Sequence, residues 1–264
     1  MVDLHSHILP GLDDGAADLE ASMAIARAAS ADGTQTIVAT PHVSLDYDTH
    51  AAVIADGVKS LAASLQAAGI ELELIAGAEV AAARLSALDD DSLRALCIGP
   101  GPYLLVESPY SSAPFLEAQL FGLQTRGFRP LLAHPERCAL FQRDRARLER
   151  LVAQGMLCSV TAGSIAGRFG RSVRRFTHDL LRAQLVHDIS SDAHDTVRRP
   201  PGMSAGAEGL CANLPELSAQ ADWYTHDVAE AVVRGEPIPR RPRPGRGLSR
   251  AWRARRRLGD LRRS

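Results

Sequence analysis

Histidine and acidic residues gather in four short segments of this sequence. The segments are Asp-Leu-His-Ser-His at 3–7, Thr-Pro-His at 40–42, His-Pro-Glu-Arg at 134–137 and Ser-Asp-Ala-His at 191–194. Five of the nine histidines fall in them, and four of those five follow or lie within short apolar runs. Imidazole and carboxylate groups at strand ends are the ligands that a site for several metal ions requires. The sequence therefore predicts a metal centre.

The residue types indicate how such a centre would be built. His5 and His7 are two residues apart on a predicted strand, so both face the same side and can bind one cation. Asp3 shares that parity and is expected to orient a ring from behind. Glu107 ends an apolar run, where a buried unpaired carboxylate is costly unless a cation neutralises it. Glu79 follows a Gly-Ala pair and is predicted to bridge two cations.

Two positions leave alternatives open. The glycine-bounded loop after the first segment offers Asp13 and Asp14. Asp14 is favoured as a ligand, although a turn or a helix N-cap would explain either acid. Arg137 belongs to the third segment, and the pair Arg198 and Arg199 follows the fourth. Because a guanidinium group can bind phosphate oxygens through two N–H groups, these arginines predict an anionic substrate, with the choice between the last two left open.

Strand and helix patterns alternate along the chain at intervals of about 30 residues, which is typical of βαβ units and a parallel sheet. The predicted strands are 2–5, 36–39, 72–76, 103–107, 130–133, 157–160 and 186–190. The predicted helices are 18–31, 50–68, 113–126 and 145–153, with a last one at 227–234. Seven such strands predict a closed or nearly closed α/β barrel. The candidate ligands all follow strands, at the face where barrels of this class keep their active sites.

Composition and charge limit the remaining possibilities. The 264 residues include four cysteines without a C-x-x-C spacing, which favours reduced thiols and a cytoplasmic location. No signal peptide and no membrane span are expected. We predict one domain at 1–236 and a disordered, Pro/Arg-rich tail at 237–264. From Arg240 onward there are eleven arginines and one acid, so the tail could touch an anionic surface, and no specific nucleic acid is expected.

Other phosphatase and hydrolase signatures are missing from the sequence. A thiol phosphatase loop needs an arginine six positions after its cysteine, and none of the four cysteines has one. The sequence also lacks a Walker-type loop and a G-x-S-x-G elbow. The other four histidines have no partners at useful spacing and are predicted to be surface or packing residues: His50, His178, His187 and His226.

The ordered set of motifs resembles the polymerase-and-histidinol-phosphatase (PHP) superfamily, and within it the bacterial protein-tyrosine phosphatases of capsular and exopolysaccharide synthesis. The matching text is DLHSHILPGLDDG at 3–15, ATPH at 39–42, GAE at 77–79, LVE at 105–107, AHPER at 133–137, AGS at 162–164 and SDAH at 191–194. Each motif is weak alone, but seven in order over about 200 residues are specific.

The resemblance implies a distorted (β/α)7 barrel of the PHP type with three divalent metal ions. Manganese is the expected metal, and iron, zinc or cobalt would also suit the ligands. By position, His5, His7, Glu79 and Asp192 would hold the first ion, Glu79, Glu107 and His134 the second, and Asp14, His42 and His194 the third. Arg137 and Arg199 match the arginines that bind phosphate.

The resemblance also implies a substrate, with two alternatives kept open. The expected substrate is phosphotyrosine on a bacterial tyrosine autokinase of polysaccharide biosynthesis. A PHP phosphoesterase acting on histidinol phosphate or nucleotide ends is the first alternative. The second is a non-catalytic regulator that binds the kinase through the arginine tail.

Overall fold

The computed structural model describes residues 1–109 and 115–245. Its strands run parallel wherever they pair. The strands are β1 (Val2–Ser6), β2 (Thr36–Ala39), β3 (His42–Val43), β4 (Glu73–Ala76), β5 (Glu79–Ala81), β6 (Tyr103–Glu107), β7 (Arg129–Ala133), β8 (Leu157–Thr161) and β9 (Asp188–Ser190). They form one sheet in the order β1-β2-β4 and another in the order β3-β5-β6-β7-β8-β9.

Backbone hydrogen bonds join these two sheets into one ring. β3 follows β2 after two residues and β5 follows β4 after two, so each pair continues a single staggered strand. On the other side, the Asp192 N–H donates to the His5 carbonyl and the His7 N–H donates to the Ala193 carbonyl, both at 2.8 Å. Counting each interrupted pair once leaves seven strands around the ring. The predicted distorted (β/α)7 barrel is therefore confirmed.

Helices cover the outside of the barrel. They are α1 (Leu19–Ala31), α2 (Ala51–Ala67), α3 (Asp90–Ala95), α4 (Leu116–Thr125), α5 (Ala139–Arg143), α6 (Arg145–Ala153), α7 (Ala162–Ala166), α8 (Gly170–Arg182), α9 (Met203–Asn213) and α10 (Val228–Arg234). The five predicted helices correspond to α1, α2, α4, α6 and α10, although the predicted first residues of α4, 113 and 114, lie outside the described residues. Gly33, Gly69, Gly127 and Gly155 have φ between 66° and 92°. They end α1, α2, α4 and α6 in the left-handed conformation that glycine adopts most easily.

Apolar side chains from the strands and helices form one continuous core around the barrel. All four cysteines are free thiols, in agreement with the sequence prediction. Within 1–109 and 115–245, every helix is too short or too polar to cross a bilayer.

The chain after α10 lies against the barrel body. The Trp223 indole N–H donates to the Pro239 carbonyl at 3.0 Å, and the Gln220 amide donates to the Pro242 carbonyl at 2.7 Å. The Gly245 N–H donates to the Glu216 carbonyl at 2.7 Å. Residues 237–245 are thus held by the body, and the rest of the predicted tail, 246–264, lies outside the described residues. The domain boundary at 237 stays a prediction.

Candidate metal centre

The barrel brings all nine candidate ligands to the C-terminal ends of its strands. Their ligand atoms fall into four overlapping groups in which all atoms lie within 4.8 Å of one another. The groups are His5/His7/Asp192, His5/Glu79/His134, His42/Glu79/Glu107 and His7/Asp14/His42/His194. Parallel strands end at the same face of a barrel, which is why residues almost 190 positions apart in the sequence meet here.

Glu79 lies at the centre of these groups and is fully buried. Its Oε1 is 2.8 Å from His134 Nε2, and its Oε2 is 3.2 Å from His5 Nε2 and 3.1 Å from His42 Nδ1. Burial works to raise the pKa of this carboxyl group, but His5 and His134 hold it well below its usual range. Glu79 is therefore an anion that faces several imidazoles, as a carboxylate bridging two cations must be.

Asp192 follows the C-terminal end of β9 and faces the two imidazoles of β1 and its continuation, His5 and His7. Its Oδ1 lies 3.4 Å from His5 Nε2 and 3.5 Å from His7 Nε2. Burial again works to raise the pKa, and His5 followed by Arg137 holds it well below its usual range. His134 and Asp192 have φ of 35° and 54°, in the left-handed region. Such a conformation in a non-glycine residue costs about 1–3 kcal/mol, and here it turns two ligands towards the centre.

Asp13 and Asp14 lie in one loop, but their carboxylates contact different groups. Asp13 Oδ2 accepts hydrogen bonds from His7 Nδ1 at 2.6 Å and from the His42 N–H at 3.0 Å. Asp14 Oδ1 instead lies 3.3 Å from His194 Nε2 and 3.5 Å from His42 Nε2. The geometry thus favours Asp14 as the ligand and Asp13 as the residue that orients one.

Gly15 allows this loop to lie directly on the first strand. A Cβ atom at this position would be 2.2 Å from the His7 carbonyl oxygen and 2.4 Å from its Cβ. Real Cβ atoms do not approach backbone so closely, so any other residue would push the loop away from His7. The second glycine of the sequence motif is explained by this contact.

The protonation states suit metal binding. Burial, and after it Arg137, lowers the pKa of His134 to about 4, so its imidazole is neutral at pH 7. The His194 Nδ1–H donates to the Asp192 carbonyl at 3.1 Å, which leaves its Nε2 lone pair towards Asp14. Neutral imidazole is the form that binds a metal. Burial, with Glu79 nearby, raises the pKa of Glu107 to about 7, and a bound cation would stabilise the ionised form of this carboxyl group.

The donor set fits divalent cations. Glu79 Oε2 and Asp192 Oδ1 are buried and accept no hydrogen bond from any described residue. His5 Nε2 and His7 Nε2 are 3.1 Å apart and both face these oxygens. Because Asp13 holds one proton of His7 on Nδ1, Nε2 is the nitrogen whose lone pair a cation would use. Lone pairs this crowded repel one another unless a cation lies between them.

Two arginines converge on the edge of the centre. One Nη of Arg137 donates to Asp192 Oδ2 at 2.5 Å, and one Nη of Arg199 donates to the same oxygen. Arg199 Nε is buried and donates to no residue within 1–109 and 115–245. The side chain of Arg198 is exposed, and its backbone N–H donates to Asp195 Oδ1. Of the arginine pair, the structure brings Arg199 to the centre.

Sequence reasoning was wrong about Asp3. Its Oδ1 accepts from the backbone N–H groups of His5 at 3.3 Å and Ser191 at 2.9 Å, and its Oδ2 accepts from none of the described residues. Asp3 therefore joins the backbone of β1 to that of the segment after β9, and neither of its hydrogen bonds goes to a ring. The role of ring orienter belongs to Asp13.

Sequence reasoning also missed Glu136. This buried carboxylate accepts hydrogen bonds from the Thr161 N–H at 2.9 Å and the Ser164 hydroxyl at 2.6 Å. Glu136 thus binds the start of α7 to the segment that carries Arg137. The Ala-Gly-Ser motif at 162–164 was the only signal for this contact, and spacing alone could not reveal its partner.

The barrel is parallel, and its C-terminal face carries carboxylates, histidines and two converging arginines. This combination defines a PHP-type metal-dependent phosphatase. The model of the capsular polysaccharide synthesis family CpsB/CapC matches residues 1–221, and the chain belongs to that family. The predicted family is therefore confirmed.

Individual relatives agree with this assignment. The tyrosine-protein phosphatase YwqE of Bacillus subtilis is 33% identical over 244 residues, which cover 92% of this chain and 95% of YwqE. The tyrosine-protein phosphatase CpsB of Streptococcus pneumoniae is 26% identical over 77% of this chain and 86% of its own. A crystal structure from a study of these two proteins, described as unique metal-dependent tyrosine phosphatases, superposes with a TM-score of 0.81 at 29% identity. It covers 94% of this chain and 100% of its own.

Proposed function

We propose that this protein acts in the cytoplasm as a metal-dependent protein-tyrosine phosphatase that removes phosphate from a tyrosine autokinase of polysaccharide biosynthesis. The observation that carries the proposal is the convergence of Arg137 and Arg199 on Asp192, at the edge of a centre with nine metal-type ligands. Cations and paired guanidinium groups together recognise a phosphate dianion. Membership of the CpsB/CapC family supports phosphotyrosine as the substrate.

The nine side chains suffice for three ions. His5, His7, Glu79 and Asp192 would hold the first, Glu79, Glu107 and His134 the second, and Asp14, His42 and His194 the third. The four groups of atoms support the first and third sets and the sharing of Glu79, whereas they place Glu107 beside His42 and His134 beside His5. We expect manganese, although ligands of this type also accept iron, zinc and cobalt. When bound, such ions neutralise phosphate oxygens and lower the pKa of a coordinated water.

The protein's own residues would position the phosphate. Asp192 binds both arginines through one oxygen, so it holds their planes together before substrate arrives. The Arg137 guanidinium also lies 4.8 Å from the centre of the Phe169 ring, which limits its movement. Preorganised donors of this kind stabilise the charge that develops on transferred phosphate. The side chain of Arg199 is 26% exposed, so its guanidinium can meet a phosphate oxygen that enters the site.

A comparison of substrates tests the proposal. The purified protein with manganese should release phosphate from a phosphotyrosine peptide faster than from histidinol phosphate or a nucleotide. Chelation and the variant His42→Ala should each abolish this activity. Equal rates on all three substrates, or no release from the peptide, would refute the tyrosine-phosphatase assignment.

A further inference from the structure

Among the candidate ligands that the structure describes, Asp14 is the most open to solvent. The side chains of His5, Glu79 and Asp192 are at most 1% exposed, whereas Asp14 is 48% exposed and His42 15%. A phosphate monoester can therefore enter past Asp14 and His42. Its leaving group then points outward over the surface around these two residues.

Two ordered loops border this opening. The first, residues 44–48, follows β3, and Ser44 Oγ accepts hydrogen bonds from the N–H groups of Asp46 at 3.2 Å and Tyr47 at 3.1 Å. The second, residues 195–199, follows the last candidate ligand, and Asp195 Oδ1 accepts from the N–H of Val197 at 2.6 Å. In both loops one side-chain oxygen fixes the backbone, so the outward side chains have defined positions.

Each loop presents a large apolar side chain to solvent. Leu45 is 76% exposed and Val197 is 77% exposed, which makes them the two most exposed large apolar side chains among the described residues. Leu45 follows His42 by three residues and Val197 follows His194 by three, and the two imidazole rings are 6.5 Å apart. The Tyr47 ring stacks on His42 at 5.7 Å with an interplanar angle of 12°. Other large apolar side chains are also exposed, such as Phe115 at 72%, so exposure alone does not mark a site. Two of them on loops that follow two neighbouring candidate ligands, together with an aromatic ring stacked on one of these ligands, indicate a binding surface.

We infer that Leu45, Tyr47 and Val197 form an apolar rim that binds the phenyl ring of phosphotyrosine and the apolar side chains beside it in the peptide. This inference rests on the proposed function. Such a rim favours aryl over alkyl phosphates, because a polar leaving group such as histidinol gains nothing from apolar contact. Burying a leucine or valine side chain against a ligand contributes binding, while the phosphate contacts stay with the arginines and metal ions.

Steady-state kinetics on the manganese-loaded protein can test the rim. In Leu45→Ser/Val197→Ser we expect the KM for a phosphotyrosine peptide to rise about fivefold to tenfold, with kcat changed less than twofold. The inhibition constant of inorganic phosphate should not change, because phosphate does not reach the rim. Phe121→Ser removes an apolar side chain of 57% exposure from α4 and is the matched control, expected to behave as wild type.

The outcomes separate the rim from the proposed function. If the wild type hydrolyses the peptide and the double variant has the same KM, the rim is refuted while the phosphatase assignment stands. If the inhibition constant of phosphate rises in parallel with KM, the substitutions have disturbed the metal centre and the rim is again refuted. If the wild type hydrolyses other phosphate esters but not the peptide, both proposals fail.

Discussion

Asp13 Oδ2 lies 2.6 Å from His7 Nδ1 and also accepts the His42 N–H at 3.0 Å. One buried carboxylate thereby fixes the ring of one candidate ligand and the backbone of another. Burial works to lower the pKa of His7, but Asp13, Asp192 and Glu79 raise it well above its ordinary value, so a cation that binds at Nε2 would displace a proton from this ring. Carboxylates that orient a ligating histidine usually contribute to metal affinity without touching the metal.

Asp13→Asn should therefore weaken metal binding about tenfold to hundredfold. An amide cannot accept the proton of His7 Nδ1 as strongly as a carboxylate, so the ring loses its fixed tautomer. Manganese titration followed by calorimetry measures the effect without an activity assay. Asp56→Asn, an exposed acid on α2, is the control and should bind as wild type. Unchanged affinity in Asp13→Asn would contradict the orienting role.

Arg198 and Arg199 provide a matched pair of neighbouring arginines. Arg199 reaches Asp192 at the metal centre, whereas the Arg198 side chain is exposed. Arg199→Ala should reduce kcat/KM for a phosphotyrosine peptide about a hundredfold, the typical effect of losing one donor to a developing oxyanion. Arg198→Ala should stay within about twofold of wild type. The reverse order in steady-state kinetics would assign the phosphate to Arg198.

Metal removal should lower thermal stability as well as activity. The buried Glu79 faces three imidazoles at 2.8 to 3.2 Å, and this grouping of ligand atoms exists only in the folded state. A cation that binds there therefore stabilises the folded protein. Saturation at about a hundred times Kd stabilises a protein by about 2.7 kcal/mol, which corresponds to a rise in Tm of about 5–10 °C. Differential scanning calorimetry with and without manganese should show this rise.

Glu79→Gln should lose most of the manganese-dependent rise in Tm, because it removes the carboxylate shared by two sites. Glu71→Gln, an exposed residue before β4, should retain the full rise. A Glu79→Gln protein that gains as much as wild type from manganese would argue against a bridging carboxylate.

Asp188 makes stability depend on pH. It is fully buried in β9, and burial raises its pKa to about 8 although the Ser159 hydroxyl donates to it at 2.5 Å. In the unfolded chain Asp188 has the ordinary pKa of 3.8. Between pH 3.8 and about 8 the folded state therefore keeps a proton that the unfolded chain has lost. The contribution of Asp188 to the free energy of unfolding is fully present below pH 3.8 and decreases as the pH rises. By pH 7 the decrease amounts to about 4 kcal/mol at most.

Asp188→Asn removes this titration, so its stability relative to wild type should increase with pH. The two proteins should unfold at similar temperatures at pH 4, and the variant should be more stable by several degrees at pH 7.5. Thermal unfolding across this range provides the measurement. A constant difference between the two proteins at every pH would show that Asp188 keeps an ordinary pKa.

The barrel and its ligand positions could be predicted because each depends on local sequence pattern. An apolar run followed by histidine or an acid marks both the strand and the end at which its ligand lies. The seven predicted strands correspond to the seven strands of the ring. Two short segments were not predicted, His42–Val43 and Glu79–Ala81, and each continues a predicted strand. The ligands themselves begin these continuations, since His42 pairs with Glu79 in the strand ladder.

Features that depend on contacts across the fold could not be predicted. Asp13 and Asp14 are equivalent in sequence, and only the close contact of Gly15 with His7 separates their roles. Helix α8 was missed because arginines occupy its outer face, so its apolar residues make a weak pattern until Leu180 and Leu181 are seen in the core. The 237–245 segment carries prolines typical of an irregular tail, but its attachment uses carbonyl groups that no side-chain pattern reveals.

Arg241 is the main attachment of that segment. Its guanidinium lies 4.4 Å from the centre of the Trp223 ring and donates to the carbonyls of Gln184, at 2.6 Å, and Val186. Gln184 and Val186 precede β9, so this contact lies at the opposite end of the strand from the metal centre. Charged hydrogen bonds and a cation–π contact together contribute about 2–4 kcal/mol.

Arg241→Ala should therefore lower the free energy of unfolding by about 2–4 kcal/mol, measured by urea denaturation, while KM for a phosphotyrosine peptide stays at the wild-type value. Arg243→Ala, an exposed arginine two residues later, should change stability by less than about 0.5 kcal/mol. Equal stability of the two variants would mean that the contacts of Arg241 contribute nothing to the stability of the barrel. A changed KM in Arg241→Ala would instead mean that the attachment acts on the metal centre across the length of β9.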